Sequence, residues 1–271
     1  VAERTGLQPH PTWRLGIRWL ALGWLALLLG APLALLVHRA AAPGLHHLWL
    51  SLTTPAAQSA FRLTLVVAAA AVPVDLVLGL VLALVLARRR GRIVGVLDAL
   101  VDLPFAISPV VVGLALFVLY GRTGWLSGLP LDILFTPTAM VLATVFVCLP
   151  YVVREVVPVL RERGTSEEEA ASTLGASTWQ TLWRITVPAL RPALAYGIVL
   201  SVARAIGEFG AVSIVSGRVA GRTETLPLLV ERRYQNLDLD GAYAAAALLA
   251  LIAVVTLIAM QRLHRREGES T

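Results

Sequence analysis

Apolar positions along the chain gather into six long runs, separated by shorter stretches that hold most of the charge. The runs cover 19–37, 63–87, 97–120, 137–157, 193–216 and 242–261. A helix rising 1.5 Å per residue needs roughly 20 apolar residues to cross a hydrocarbon layer of about 30 Å. Six such runs predict six transmembrane helices and an all-α integral membrane protein. Composition agrees: 57% of the 271 residues are hydrophobic and only 15% are charged, with a mean hydropathy of +0.76, far above a soluble domain. The first run is read as a retained helix. Its alternative is a secretory signal, with Arg39-Ala-Ala-Ala42 as the small-residue cleavage site, but the apolar stretch exceeds the usual signal core and Pro43 would follow the cut.

The connections set the orientation. With the N-terminus inside, the cytosolic segments hold Arg4, Arg14, Arg18, Arg88, Arg89, Arg90, Arg92, Arg161, Arg163, Arg184, Arg191, Arg262, Arg265 and Arg266. The opposite side holds Arg39, Arg62, Arg122, Arg218, Arg222, Arg232 and Arg233. Fourteen against seven predicts that both termini are cytosolic. The net charge of +6 then reflects membrane orientation and calls for no nucleic acid. All basic residues are arginine, and a chain without lysine contains no P-loop, so nucleotide is not bound through that motif. Cys148 is the single cysteine and forms no intrachain disulfide. No histidine lies in a run at ligand spacing, and no metal site is expected.

Two runs carry irregular chemistry. The third contains Asp102-Leu-Pro-Phe-Ala-Ile-Ser-Pro109, where Pro104 and Pro109 each remove a backbone hydrogen bond and force a bend. The freed carbonyls need an answer from neighbouring helices, Ser108 or water. A packed kink and a break lining a solute path are both open readings. The fifth contains Arg204-Ala-Ile-Gly-Glu-Phe-Gly210, an ionisable pair at i and i+4. Such charges are costly in lipid unless paired, so Arg204 and Glu208 are expected to face the bundle interior and each other. Gly207 and Gly210 would let another backbone come close. A structural ion pair and a pathway lining are compatible here. Asp75 and Asp98 are weaker candidates, with Asp98 within reach of the arginine-rich loop.

The wettest internal stretch is 166–188. Ser166 with Glu169 has the spacing of a capping box, three glutamates complement the helix dipole, Gly175 suits a helix end, and Ser177 with Gln180 repeats the box. This predicts helix, glycine turn, helix. Ala171, Leu174, Thr178 and Leu182 would share an apolar seam, flanked by Trp179 and Trp183 at i and i+4. On spacing alone, an interfacial amphipathic hairpin is an equal reading.

These residues carry a resemblance. Glu169-Ala170-Ala171, three residues, Gly175, nine residues, then Ile185-Thr-Val-Pro188 resembles the EAA loop of ABC importer permeases, with Val187 where leucine is usual. Asp102 to Leu114, Leu149 to Pro158 and Arg204 to Gly217 resemble the branch that carries sulfate, thiosulfate and molybdate. The likeness covers roughly Thr54 to the C-terminus. Gly221 to Tyr234 is closer to sulfate permease subunits of the CysW type than to those of the CysT type.

The resemblance implies a type I permease fold: an N-terminal part, 1–53, with the first helix, a permease core, 54–262, holding a cytosolic coupling loop, 158–192, and a tail, 263–271. It implies a bacterial inner-membrane subunit, not itself an enzyme and binding no cofactor, that imports sulfate or thiosulfate with ATP and Mg held by separate ATPase subunits. A second permease of the CysT type, an extracytoplasmic sulfate-binding protein and membrane lipid are the other implied partners. ATPase docking falls to Glu169, Ala170, Ala171, Gly175, Ile185 and Pro188. The pathway falls to Pro104, Ser108, Pro109, Arg204, Gly207, Glu208 and Gly210. Thr223, Glu224, Thr225 and Pro227 belong to the outer connection, which carries both signs of charge and is expected to dock the binding protein, a solvated loop being the alternative. A molybdate permease is the near alternative; a secondary transporter driven by an ion gradient is the alternative of another class.

Overall fold

The computed structural model describes residues 11–127 and 132–268, and the described residues form helices joined by turns. Arg4 and the rest of 1–10, together with 269–271 of the expected tail, lie outside the described residues.

The chain starts with α1 (Pro11–Leu25), a π-helical turn (Ala26–Gly30) and α2 (Ala31–Ala41). Together they give an apolar stretch, Leu15–Ala41, long enough to span. Its large side chains are exposed, Trp19, Leu20 and Trp24 among them, as suits a helix meeting lipid or another membrane chain. After a turn at Gly44, α3 (Leu45–Leu52) leads to α4 (Pro55–Arg88). The fourth helix begins eight residues before the predicted run because Thr54 caps it, accepting a hydrogen bond from the Ala57 amide at 3.3 Å, with Pro55 as first residue.

The third run is two helices, not one. A 112° bend separates α5 (Arg92–Ala106) from α6 (Pro109–Tyr120). Pro109 disfavours helical backbone at Ser108, which sits at φ −58° and ψ 134°. Neither half reaches across about 30 Å alone. Next comes α7 (Pro137–Arg163), the central helix, packed along α4. Glycines set this approach: a Cβ added at Gly79 would lie 2.7 Å from Val152 Cγ1.

The polar segment forms α8 (Ser166–Thr173), α9 (Thr178–Thr181), a π-helical turn (Leu182–Thr186) and α10 (Val187–Ala189). It meets α11 (Arg191–Ile206) at a 69° bend. The fifth run therefore departs from expectation: its helix stops at Ile206, and Gly207, Glu208 and Phe209 interrupt it before α12 (Gly210–Val215). Last come α13 (Leu226–Gln235) and α14 (Leu239–Gly268). Among the described residues, four helices are long and apolar enough to cross a membrane, or up to six if each bent pair is one span.

The interior is layered along α7. One apolar cluster joins Leu86, Val153, Val156, Leu160 and Leu190 at the end that carries α8. Another joins Val67, Met140, Ala143, Val212 and Leu228 toward the opposite end. Between them Ala68, Val72, Cys148, Ala205 and Ile206 bring α4, α7 and α11 together.

Candidate functional site

At one end of the bundle, the polar segment folds back as a hairpin. Gly175 adopts φ +85°, where a side chain would be strained, and the Ala176 amide closes the helix end on the Ala171 carbonyl at 3.0 Å. The second helix is capped reciprocally: the Gln180 amide donates to Ser177 Oγ at 3.3 Å and the Ser177 amide donates to Gln180 Oε1 at 2.9 Å. The first start differs from the predicted box. Ser166 is already helical, Thr165 precedes it, and Thr165 Oγ1 donates to Glu169 Oε1 at 2.6 Å. The cause is Gly164, which ends α7 at φ +68° and leaves a single residue in which to turn.

Glu168, not Glu169, fixes the hairpin to the bundle. Its Oε1 lies 2.7 Å from Arg88 Nη2 and accepts from Thr186 Oγ1 at 2.9 Å. Arg88 also donates to the Gly164 carbonyl, and Arg161 Nη2 donates to the Leu86 carbonyl at 3.3 Å. The ends of α4, α7 and α8 are thereby one unit. Glu169, Ala170 and Gly175 remain exposed, whereas Ala171, Ile185 and Pro188 are half-buried. The expected apolar seam is divided: Ala171 and Leu182 are half-buried, whereas Thr178 is exposed and Leu174 is 89% exposed. Leu174 instead turns outward, as do Trp179 and Trp183, whose rings meet edge to face at 5.5 Å.

Farther in, Arg154 of α7 clamps α5. Its Nη2 lies 2.8 Å from Asp98 Oδ1 and its Nε donates to Asp102 Oδ1 at 2.7 Å. Asp98 was expected near the arginine-rich loop and pairs here instead. Phe105 stacks edge to face on Tyr151, 5.3 Å between centroids. Two of the segments that carry the resemblance are thus joined directly.

The two breaks meet. A Cβ added at Gly210 would lie 2.8 Å from Pro109 Cβ, and one at Gly113 would lie 2.6 Å from the Ala211 carbonyl oxygen. Glu208, its side chain 1% exposed, pairs with Arg204 at 2.5 Å and accepts the Ala211 amide at 2.9 Å. Pro109, Arg204, Glu208 and Gly210 therefore form one cluster. Pro104 is half-buried about one turn back from the bend and Ser108 is exposed in it. Gly207 does not admit another helix: its added Cβ would have only the Ala203 and Arg204 carbonyls of its own helix nearby. Asp75, weighed as a weaker candidate, is fully buried in α4, and among the described residues neither its carboxyl oxygens nor Ser201 Oγ has a hydrogen-bond partner. Its signal was a lone acid in the middle of an apolar run.

The outer connection departs from expectation. Thr223, Glu224 and Thr225 are buried and Pro227 is half-buried, so they are anchors and do not form an open docking face. Glu224 takes both oxygens to Arg232, Oε2 at 3.0 Å from Nη2. Thr223 Oγ1 accepts the Val219 amide at 3.2 Å, and the Leu226 amide donates to Thr64 Oγ1 of α4 at 2.8 Å. Arg233 donates to the carbonyls of Ser51 and Gly241, each at 2.9 Å. Burial pushes the Arg233 guanidinium below its ordinary value, while the hydrogen bond to Glu224 holds Arg232 above it. Polar character suggested a surface, but Thr223 and Glu224 are answered within the chain, and Thr225 Oγ1 is buried with no hydrogen-bond partner among the described residues.

Residues 76–268, which hold the broken spans and the outward-facing hairpin, match by sequence a family described as binding-protein-dependent transport system inner membrane component. The chain belongs to that family. This permease is 49% identical over 215 residues to the sulfate transport system permease protein CysW of Synechocystis, covering 78% of each chain. It is 36% identical over 246 residues to the CysT protein of the same organism, covering 89% of this chain and 86% of the other. Its fold matches a chain of a bacterial alginate ABC transporter solved in complex with an alginate pentasaccharide-bound periplasmic protein. That match has a TM-score of 0.75 at 20% identity over 94% of both chains. The permease is therefore a multi-pass membrane subunit of the ABC type, and the ion-gradient reading is set aside.

Proposed function

We propose that this permease forms one half of the pore of an ATP-driven sulfate or thiosulfate importer in a bacterial inner membrane. The other half is a subunit of the CysT type, with an extracytoplasmic sulfate-binding protein on one side and two ATPase subunits on the other. Both termini lie on the ATPase side, as the arginine asymmetry argues.

One observation supports the coupling role above others: a hairpin that exposes Leu174, Trp179 and Trp183 outward while Glu168 ties its base to Arg88 and Thr186. An aromatic and aliphatic face on a short helical pair is suited to seating in a groove of another protein. A push on that face passes through Glu168 to the ends of α4 and α7, and along α7 to α5 through Arg154. The bends at Ser108 and at 207–209 are where those movements alter the cluster at Glu208. The ATPases hold ATP and Mg, and this chain supplies the socket and the path. An oxyanion needs sites that are favourable without being deep. Arg204, already balanced by Glu208, offers a moderated positive charge.

Sulfate is favoured over molybdate by the 49% identity with a protein named as a sulfate permease. Reconstituting the permease with its companion subunits tests both parts. Uptake of labelled sulfate that requires ATP and the ATPase subunits, and that excess molybdate inhibits weakly, is expected. Uptake by the permease alone, or molybdate as the preferred anion, contradicts the proposal.

A further inference from the structure

The turn between α4 and α5 is more basic than its contacts explain. Arg88, Arg89, Arg90 and Arg161 line a groove of about 640 Å³ with Gly91 and Val94. Arg88 is taken by Glu168, and Arg161 donates to a backbone carbonyl. Arg89, Arg90 and, beside them, Arg92 are exposed and make no ion pair among the described residues. Gly91, at φ 140°, starts α5 without a capping side chain, so the first amides of a 15-residue helix add their partial positive charge to the same spot.

Directly below, Ile93, Val96 and Leu100 follow one another at i, i+3 and i+7 on α5 and are all exposed, Ile93 at 77%. A free inorganic anion has no use for such a track. An amphiphile with a phosphate head and acyl chains matches both halves: charge at the turn, hydrocarbon along the helix. We propose that the α4–α5 turn is a binding site for the headgroup of an anionic phospholipid, whose chains lie along Ile93, Val96 and Leu100. Because Arg88 borders the groove and also holds Glu168, a seated headgroup braces the base of the hairpin. The site does not depend on which anion the permease transports.

Native mass spectrometry of the full-length permease tests this, using protein purified in detergent with equal phosphatidylglycerol and phosphatidylcholine of matched acyl chains. The intact protein is expected to retain phosphatidylglycerol preferentially. Replacing Arg89→Gln and Arg90→Gln together should cut that preference about thirtyfold, the usual worth of two basic residues near an anionic headgroup. Arg89→Lys with Arg90→Lys should keep it, which separates loss of charge from loss of fold. Ile93→Asn should weaken retention of the lipid without changing charge. Equal retention of both lipids by the intact protein, or an unchanged ratio in the glutamine variant, overturns the proposal. So does displacement of the lipid by inorganic phosphate equally in the intact and Ile93→Asn proteins, which would assign the groove to a free oxyanion.

Discussion

Arg88 at the end of α4 and Glu168 in the first turn of α8 lie 2.7 Å apart, 80 residues apart in sequence, and Glu168 also receives the Thr186 hydroxyl. This pair joins the hairpin to the bundle. Both side chains are partly accessible, so the interaction itself is modest, about 0.5–1 kcal/mol in a double-mutant cycle of Arg88→Gln and Glu168→Gln. Its effect on transport is expected to be larger than its effect on stability. Each variant should insert normally and melt within a few degrees of the parent, yet lose most ATP-coupled uptake. Parallel loss of stability and uptake would make the pair merely structural.

Arg204 and Glu208 are a different kind of pair. Glu208 is buried, so Arg204→Leu strands a carboxylate, and a cost of about 2–4 kcal/mol is expected. Arg204→Leu with Glu208→Gln removes the stranded charge and should recover much of that stability. Thermal unfolding of the four proteins in detergent measures it. Additive losses contradict a mutual pair.

Gly210 and Gly207, three residues apart, should respond unequally to alanine. At Gly210 the new methyl meets Pro109 at 2.8 Å, whereas at Gly207 its nearest neighbour is the Ala203 carbonyl oxygen at 3.7 Å. Gly210→Ala is expected to cost about 1–3 kcal/mol by overpacking the contact between the two breaks, and Gly207→Ala less than 1 kcal/mol. Equal melting temperatures for the two variants would deny the close approach.

Gly175 has open space around it, so only its backbone is at stake. Gly175→Val should cost about 1–2 kcal/mol from φ +85° and bend the hairpin out of shape. Gly175→Asn, which tolerates that region, should keep most activity. Sulfate uptake at equal membrane levels compares them; equal uptake by the valine and asparagine variants would remove the conformational role.

Legibility in the sequence followed locality. The i,i+4 pair Arg204 and Glu208, the glycine turn at 175, and the Ser177–Gln180 box are set by residues a few positions apart, and each appears in the structure. Arg88 with Glu168, and Arg154 with Asp98 and Asp102, join distant helices; which faces of those helices meet is a matter of tertiary packing. Thr223 to Thr225 misled for a related reason. The polarity of Thr223 and Glu224 suits water as well as it suits the Val219 amide and Arg232, which answer them inside. The break at Ser108 was visible in its prolines, but the size of the bend, and its meeting with Gly210, depend on α12 packing against α6.

The central claim is that the exposed hairpin transmits ATP hydrolysis to the movement of sulfate. Its most direct test is uptake of radiolabelled sulfate in cells lacking this chain, complemented with the intact permease or with Glu169→Arg at matched membrane levels, with molybdate as competitor. Glu169 is exposed, and among the described residues its carboxylate takes one hydrogen bond, from the neighbouring Thr165, so charge reversal should leave the fold intact. Uptake restored by the intact chain alone, and weakly inhibited by molybdate, is the expected result. Equal uptake from both contradicts the coupling role.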